Sequence, residues 1–171
     1  MHTFKLPLYI TVEDLESLPE DFRYELHEGV LHIMPPPIQW HSWVARRLAN
    51  TLERAGMATG TEVGVKFSDN DERTPDVAVF KDEPNLKRAI FSPSDFLLLI
   101  EVVSKSSEAQ DRILKPLHYA KAGIPEYWRV EEDPDSDRDA LVHQYKLSAE
   151  GKYDKTAVVK LTELEAGLTP P

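Results

Sequence analysis

The sequence contains no cysteine among its 171 residues. This absence excludes disulfide bonds, zinc sites built on thiolates and cysteine nucleophiles. Positive charge is also scarce, because 20 lysines and arginines stand against 30 aspartates and glutamates, a net charge of −10. Lysine and arginine displace the counterions of nucleic acids, so this balance disfavours tight, non-specific binding along a long nucleic acid. A nucleic-acid partner would have to be bound locally, with metal ions supplying positive charge.

Long hydrophobic runs are missing as well. The longest unbroken apolar run covers residues 96–100, which is far too short to cross a bilayer. The first residues lack the apolar core and the small-residue cleavage site of a signal peptide, so we expect a cytoplasmic protein. Hydrophobic residues make up 41% and charged residues 29%, as in ordinary globular proteins. At this length we expect a single domain over residues 1–171.

The pattern of apolar residues predicts an alternation of helices and strands. Helices are predicted at residues 11–18, 41–55 and 106–122. A β-hairpin is predicted at 22–34, and strands at 61–67, 76–80, 96–103, 127–130, 140–147 and 153–161. The polar stretch 69–73 is predicted to be a turn, and the acidic stretch 131–139 a solvated loop. This order of elements indicates an α/β fold with a mixed β-sheet flanked by helices.

Glu101 interrupts the apolar strand predicted at 96–103. A buried carboxylate costs several kcal/mol unless it is paired or bound to a metal, so Glu101 is either a metal ligand or half of a buried salt bridge, for example with Lys115. Asp76 follows a proline, which alone is typical of a turn. If its strand lies beside that of Glu101, the two carboxylates can chelate Mg²⁺ or Mn²⁺. The backbone carbonyl of Val103 would be a third oxygen ligand.

The helix predicted after this strand carries three further candidates. Asp111, Lys115 and Tyr119 follow one another at intervals of four residues, so they share one helix face. An exposed Asp111–Lys115 ion pair, with Tyr119 half-buried beside it, would produce the same pattern. Glu28 in the hairpin turn and His41 at a helix start are, taken alone, typical of turn and cap residues.

Several segments together resemble the Uma-two family of putative restriction endonucleases. They are PDVAVF, FLLLIEVVSKSS and DRILKPLHYAKAGIPEYWRV, with the looser early segment YELHEGVLHIMPPP followed by His41. The resemblance extends from about residue 11 to residue 147. It implies the restriction-endonuclease-like fold of the PD-(D/E)XK superfamily, with the motif lysine moved onto the following helix.

The resemblance also implies roles for individual residues. Asp76 and Glu101 would be the acidic metal ligands, and Lys115 would be the displaced lysine. Glu28 would match an acidic residue of the first element. The remaining supporting positions would be Asp111, Tyr119 and His41. Pro116, directly after Lys115, departs from the pattern of the family. A proline inside a helix removes a hydrogen-bond donor and is expected to kink the helix.

These observations predict a Mg²⁺- or Mn²⁺-dependent endonuclease that hydrolyses phosphodiester bonds in DNA. The metal would polarise the scissile phosphate, and Lys115 would position water or stabilise the developing charge. Two alternatives stay open: a non-catalytic interaction module on the same fold, and a metal-dependent hydrolase of a small phosphate ester. A homodimer is also expected, because Trp40, Trp43 and the C-terminal strands offer apolar surface.

Overall fold

The computed structural model describes residues 8–19, 21–104 and 110–168, with the backbone alone at 110 and 111. Before the central strand, the chain forms a 3₁₀ helix at Glu13–Ser17 and then β1 (Arg23–His27), β2 (Val30–Met34), α1 (Gln39–Arg54), β3 (Thr59–Thr61), β4 (Gly64–Ser68), β5 (Asp71–Arg73), β6 (Val77–Phe80) and β7 (Ile90–Phe91). From there on it forms β8 (Phe96–Val102), a π-helical turn (Gln110–Leu114), α2 (Lys115–Lys121), β9 (Glu126–Asp133), β10 (Ser136–Leu147), β11 (Tyr153–Lys160) and α3 (Leu161–Gly167).

The described strands form two mixed sheets. One has the order β2-β1-β5-β4-β7, and the other has the order β11-β10-β9-β8-β6-β3. Strands β8 and β9 run parallel, as do β4 and β7, while the other neighbours run antiparallel. The predicted α/β class is therefore confirmed, but the strands divide between two sheets where the sequence suggested one.

The six-stranded sheet is buried on both faces. One face packs against the apolar side of α1, where Val44, Leu48 and Leu52 are fully buried. The opposite face packs against α2 and the five-stranded sheet through an aromatic cluster that includes Tyr119 and Tyr127. Burial on both faces explains why β8 is a nearly continuous apolar run, and it makes the glutamate within that strand conspicuous.

The β1–β2 hairpin turns through two residues with positive φ. Glu28 has φ 49° and Gly29 has φ 86°, as a two-residue type I′ turn requires. The hairpin predicted from the sequence is confirmed, with every residue of β1 paired to β2. The turn geometry also fixes Glu28 at the exposed tip of the hairpin.

Two polar segments differ from the prediction. Residues 69–73 were expected to be a turn, yet Asp71–Arg73 forms β5, in which all three side chains are buried. Burial is tolerated because Asp71 lies 3.1 Å from Arg73 Nε and 3.0 Å from His118 Nε2. Residues 131–139 were expected to be a loop, yet β9 and β10 extend through them and pair at Ser136 and Asp133.

The predicted helix at 106–122 is also modified. Residues 105–109 lie outside the described part of the structure, and the α-helix proper begins only at Lys115. Pro116 sits in the first turn of α2, directly after the π-helical turn Gln110–Leu114. The kink expected from Pro116 stays a prediction. The strand predicted at 153–161 is β11 and ends at Lys160. Helix α3, which was not predicted from the sequence, begins at the next residue.

Glu72 on β5 provides a test by pH. Its side chain is 2% exposed, and burial raises its pKa to about 7, with the negative charge of Glu25 adding to the rise while Thr74, Arg73 and Lys115 oppose it. A glutamate with a raised folded-state pKa contributes stability that is fully present below about pH 4.5 and is lost as pH rises through about 7. The loss amounts to about 3 kcal/mol.

We therefore expect Glu72→Gln to remove the loss of stability that accompanies rising pH, because glutamine stays neutral. The free energy of unfolding, measured by urea denaturation between about pH 5 and pH 8, should fall less steeply with pH in Glu72→Gln than in the wild type. Glu53→Gln, at an exposed position of α1, is the matched control and should follow the wild type. Parallel curves for Glu72→Gln and the wild type would contradict the prediction.

Candidate active site

Asp76 directly precedes β6, and Glu101 lies on β8, the strand that pairs with β6. Val77 is opposite Ile100, so the same antiparallel register continues from Asp76 towards Glu101. Directly opposed residues of an antiparallel pair project from the same face of the sheet. Both residues also line the same pocket. Both residues therefore border one pocket, and their joint role as metal ligands stays a prediction.

Glu101 is held by two donors from α2. Its side chain is 1% exposed, Lys115 Nζ lies 2.9 Å from Oε2, and Tyr119 Oη donates to Oε1 at 2.6 Å. Burial raises the pKa of Tyr119, and the charge of Glu101 raises it further, so the phenol keeps its proton and acts as a donor. A neutral donor and a cation together compensate the buried carboxylate.

Lys115 is buried rather than exposed. Its side chain is 6% exposed and points into the protein towards Glu101, which contradicts the alternative of a surface ion pair with Asp111. The side chain of Asp111 lies outside the described part of the structure. The shared face of Lys115 and Tyr119 is the face that packs against the sheet. Helical spacing could identify that shared face, but not the direction in which it points.

Glu25 on β1 is a member of the site that the sequence interpretation missed. Its side chain is 2% exposed, and Oε1 lies 3.4 Å from Lys115 Nζ and accepts the backbone N–H of Thr74 at 3.0 Å. Its Oε2 lies 2.7 Å from His27 Nε2. Burial alone would raise the pKa of Glu25, but the charge of Lys115 and the hydrogen bonds from His27 and Thr74 outweigh it and lower the pKa to about 2.

Glu28, which was proposed from the resemblance, does not reach this cluster. It is exposed at the hairpin turn and borders a different, smaller cavity. Glu25 points inwards on β1, whereas the turn places Glu28 in solvent. No local pattern identified Glu25, because Glu25 and Leu26 are consecutive in β1 and both buried.

Asp76 is oriented by two donors. Its Oδ2 accepts the backbone N–H of Val102 at 2.7 Å and lies 3.1 Å from His41 Nε2. Its Oδ1 lies 4.0 Å from Arg23 Nη2. His41 is buried in the first turn of α1 and so connects that helix to the strand. The position of His41 beside Asp76 gives it a supporting contact that is absent from an ordinary surface or cap histidine.

The family model for Uma2 (Uma-two), described as "Putative restriction endonuclease", matches residues 12–170. The chain belongs to the Uma2 family. Among curated proteins, none matches the chain significantly. A crystal structure of a putative nuclease of the DUF820 group from Anabaena variabilis is similar to the Uma2 chain, with a TM-score of 0.61 and 20% sequence identity. The similarity covers 93% of this chain and 99% of the other, and at this identity it shows the fold.

Family membership supports a nuclease-like function, and restriction-endonuclease-like proteins generally use divalent metal ions. Within the residues that the structure describes, no three His, Asp or Glu side chains converge to form a complete metal cage. Mg²⁺ does not need one, because it commonly takes one or two carboxylates and completes its shell with water and substrate phosphate. Asp76, Glu101 and the Val103 carbonyl border one pocket and supply only hard oxygen donors, so this donor set fits such an ion.

The pocket of this Uma2 chain measures about 610 Å³ and is partly open to solvent. The nearly buried Glu101 and Lys115 form its recessed part, whereas residues 35–38 and Trp40 line another side. A pocket of this volume lies within the range of small-ligand sites, about 300 to 1,000 Å³.

Among the described residues, no helix has both the length and the apolarity needed to span a membrane.

Proposed function

We propose that this protein is a divalent-metal-dependent endonuclease that hydrolyses phosphodiester bonds of DNA in this pocket. The observation that carries the proposal is the buried Glu101–Lys115 pair, with a nitrogen–oxygen distance of 2.9 Å, beside an open pocket that Asp76 also lines. A purely structural ion pair needs no opening to solvent, whereas a hydrolytic site must admit both its substrate and water. Membership of a restriction endonuclease family supports the same chemistry.

In this proposal each polar group has a distinct task. Asp76, Glu101 and the carbonyl of Val103 would hold Mg²⁺ or Mn²⁺, which when bound polarises the phosphate and lowers the pKa of water. Lys115 would stabilise the negative charge that develops on the phosphate. Glu25 Oε1 lies 3.4 Å from the Lys115 ammonium, and so would help to hold it in place.

Supporting contacts make this arrangement rigid. Tyr119 donates to Glu101, and His41 and the Val102 N–H fix one oxygen of Asp76. Fixed carboxylates leave little reorganisation for the moment of reaction, which is the main way in which electrostatic catalysis lowers a barrier. The histidine and the tyrosine would therefore position the ligands, and neither needs to touch the substrate.

A non-catalytic protein on the same fold is the second candidate. The observation that favours it is the satisfaction of Glu101 by Lys115 and Tyr119, because a buried structural pair would look similar. Replacing such a pair by apolar residues of similar size is often neutral or stabilising. If the pair is structural alone, Glu101→Leu/Lys115→Met should retain any binding of DNA, although its stability falls because Glu25 also loses its contact with Lys115.

The proposal is tested by incubating the purified chain with supercoiled plasmid and with single-stranded circular DNA, in Mg²⁺, in Mn²⁺ and in chelator. We expect strand cleavage with metal and none with chelator. Lys146→Ala is the matched control for any substitution of Lys115. Its side chain is 64% exposed, so this variant should cleave like the wild type. A nucleoside phosphate ester included in parallel identifies a small-substrate hydrolase if it alone is cleaved. Intact DNA in every metal condition would contradict the nuclease proposal.

A homodimer and a cytoplasmic location, both expected from the sequence, stay predictions. Two-fold symmetry would suit an enzyme that cuts both strands of a duplex, since the strands are related by such an axis. Light scattering at micromolar concentration measures the mass in solution and so tests the homodimer. Fractionation of cells tests the cytoplasmic location.

A further inference from the structure

The segment that joins β2 to α1 forms an apolar side of the pocket. It contains three consecutive prolines at residues 35–37, followed by Ile38 and, one residue later, Trp40. The prolines are exposed and Ile38 is 60% exposed, whereas Trp40 is half-buried with part of its ring packed against the core. We call residues 35–38 and Trp40 the apolar wall. Apolar surface of this kind beside charged groups marks a binding site.

Cations stand at other points of the pocket lining. The Arg23 side chain is 32% exposed and lies 4.0 Å from Asp76, and the Arg112 side chain is 41% exposed and lies 3.0 Å from Glu131. Together with the recessed Lys115, the pocket combines three cationic side chains with an apolar wall. Five acidic residues line it as well, so an anionic ligand would bind together with a divalent ion: Glu25, Asp76, Glu101, Glu131 and Glu132. A ligand that matches it has an anionic group and a flat apolar group within one small unit. A nucleotide has both.

We propose that the pocket binds an unpaired nucleotide of single-stranded DNA, with its base against the apolar wall and its phosphate beside Lys115. The placement of the phosphate beside Lys115 rests on the proposed function. The placement of the base rests on the apolar wall alone. Base stacking on an aromatic side chain is the usual way in which proteins hold single strands. Trp40 packs partly against the core, and the part of its side chain that lines the pocket is suited to this contact.

Two observations and the cost of extruding a base favour a single strand over a duplex. Glu101 is 1% exposed and Lys115 is 6% exposed, so a reacting phosphate must descend into the pocket together with its nucleotide. A base within a duplex is stacked and paired, and extruding it costs a few kcal/mol. The net charge of −10 provides no long basic track for a duplex, whereas an unpaired nucleotide needs only local cations.

The chemistry of the wall also predicts tolerance of base identity. Prolines have no backbone N–H, so residues 35–37 provide no main-chain donors to read the edge of a base. Stacking and van der Waals contact remain, and both act on the face that every base shares. We expect similar affinities for single strands of different sequence.

The test is a binding measurement with the full chain at low ionic strength in Ca²⁺, and in chelator for comparison, where no cleavage is needed. The probe is a single-stranded oligonucleotide that carries a dye for anisotropy and one 2-aminopurine for stacking. We expect binding with quenching of the 2-aminopurine, and at least about tenfold weaker binding of the matching duplex, as a modest extrusion penalty implies. Duplex binding equal to or tighter than single-strand binding would overturn the proposal.

Substitution of Trp40 tests the apolar wall directly. Trp40→Leu should weaken single-strand binding by about tenfold, the scale for losing one stacked base, and Trp40→Phe should restore most of the affinity. Trp43→Leu is the matched control on the same helix, because Trp43 packs under Arg47, 4.5 Å from the ring centre, and does not line the pocket. Equal affinities of Trp40→Leu and Trp43→Leu would overturn the assignment.

A second variant avoids the risk that a tryptophan substitution impairs folding. Ile38 is the residue that caps the N-terminus of α1, where aspartate is a preferred residue, so Ile38→Asp should not destabilise the helix. It removes apolar surface from the wall and places a negative charge there, so single-strand binding should fall several-fold. Leu86→Asp makes the same charge change at a side chain that is 90% exposed and outside the pocket, and should leave binding unchanged.

The outcomes separate this inference from the proposed function. Binding in Ca²⁺ that depends on Trp40 and Ile38, without cleavage in any metal, supports the nucleotide pocket and contradicts the nuclease. Metal-dependent cleavage with equal rates for Ile38→Asp, Leu86→Asp and the wild type on single-stranded DNA supports the nuclease and overturns the wall. Binding of a free mononucleotide as tight as that of the oligonucleotide would also overturn the single-strand assignment.

Discussion

Glu101→Gln is expected to reduce metal-dependent DNA cleavage by about a hundredfold or more, the scale for removing one group that stabilises charge in a reaction. The substitution removes the negative charge that would balance a divalent ion, while it keeps the size of the side chain. Lys115 retains a carboxylate partner in the variant, because Glu25 Oε1 lies 3.4 Å from its ammonium. The fold should therefore tolerate the change better than it tolerates loss of the cation.

Single-turnover cleavage with Mn²⁺ measures the effect, and thermal unfolding shows whether the variant is folded. Calorimetric titration with Mn²⁺ gives an independent readout, in which Glu101→Gln should bind the ion more weakly. Glu53→Gln, exposed on α1, is the matched control for an acid-to-amide change. A folded Glu101→Gln protein that cleaves within a few-fold of the wild type would remove Glu101 from the mechanism.

Lys115→Met should produce the largest loss of stability among the substitutions considered for the site. It leaves Glu25 and Glu101, at 2% and 1% exposed, as neighbouring buried carboxylates without their shared cation. Breaking a buried pair by removing one partner typically costs about 3–5 kcal/mol. Cleavage should be lost as well, so this substitution alone cannot separate folding from chemistry.

The pH dependence of unfolding identifies the cause. In the wild type the pKa of Glu25 is about 2, so its contribution of about 3 kcal/mol is present above pH 4.5 and is lost as pH falls through 2. Without Lys115, burial raises the Glu25 pKa with less opposition, and protonation relieves the uncompensated charge. The difference in unfolding free energy between wild type and Lys115→Met should therefore narrow as pH falls from 7 towards 4.

A double variant separates the two roles of Lys115. Lys115→Met/Glu25→Gln should regain part of the lost stability at neutral pH, because one of the two uncompensated charges is gone. It should not regain cleavage, because the cation is still missing from the pocket. Urea denaturation and the plasmid assay measure the two properties on the same protein. Recovery of cleavage by the double variant would show that Lys115 acts through folding alone.

The candidate site could be predicted where a residue violated the pattern around it. Glu101 is a charge inside a buried strand, and no apolar core selects such a residue without compensation. The partnership of Glu101 with Lys115 was left open between a metal site and a salt bridge, and the observed 2.9 Å contact is compatible with both. Spacing placed Lys115 and Tyr119 on one face, but two interpretations of that face, buried and exposed, fitted the sequence equally well.

Residues that followed an ordinary local pattern were missed. Glu25 stands in an alternating hairpin strand, where a polar residue usually faces solvent. It faces inwards because β1 joins β5 in the five-stranded sheet, where Lys115 and the Thr74 N–H contact its carboxylate. The charged residues of β5 suggested a turn for a similar reason. Their partners lie far away in the chain, as His118 does from Asp71.

The sequence alone determined the class of fold, the hairpin at Glu28–Gly29, the central strand around Glu101 and the resemblance on which Asp76 and Lys115 were proposed. These features depend on local periodicity, on turn chemistry and on the cost of a buried charge, all of which a linear pattern records. Only the tertiary structure decided that Glu25, and not Glu28, meets Lys115, and that Asp76 receives His41. Such contacts depend on how two sheets and two helices pack, and residues 14 to 90 positions apart in the chain become neighbours only through that packing.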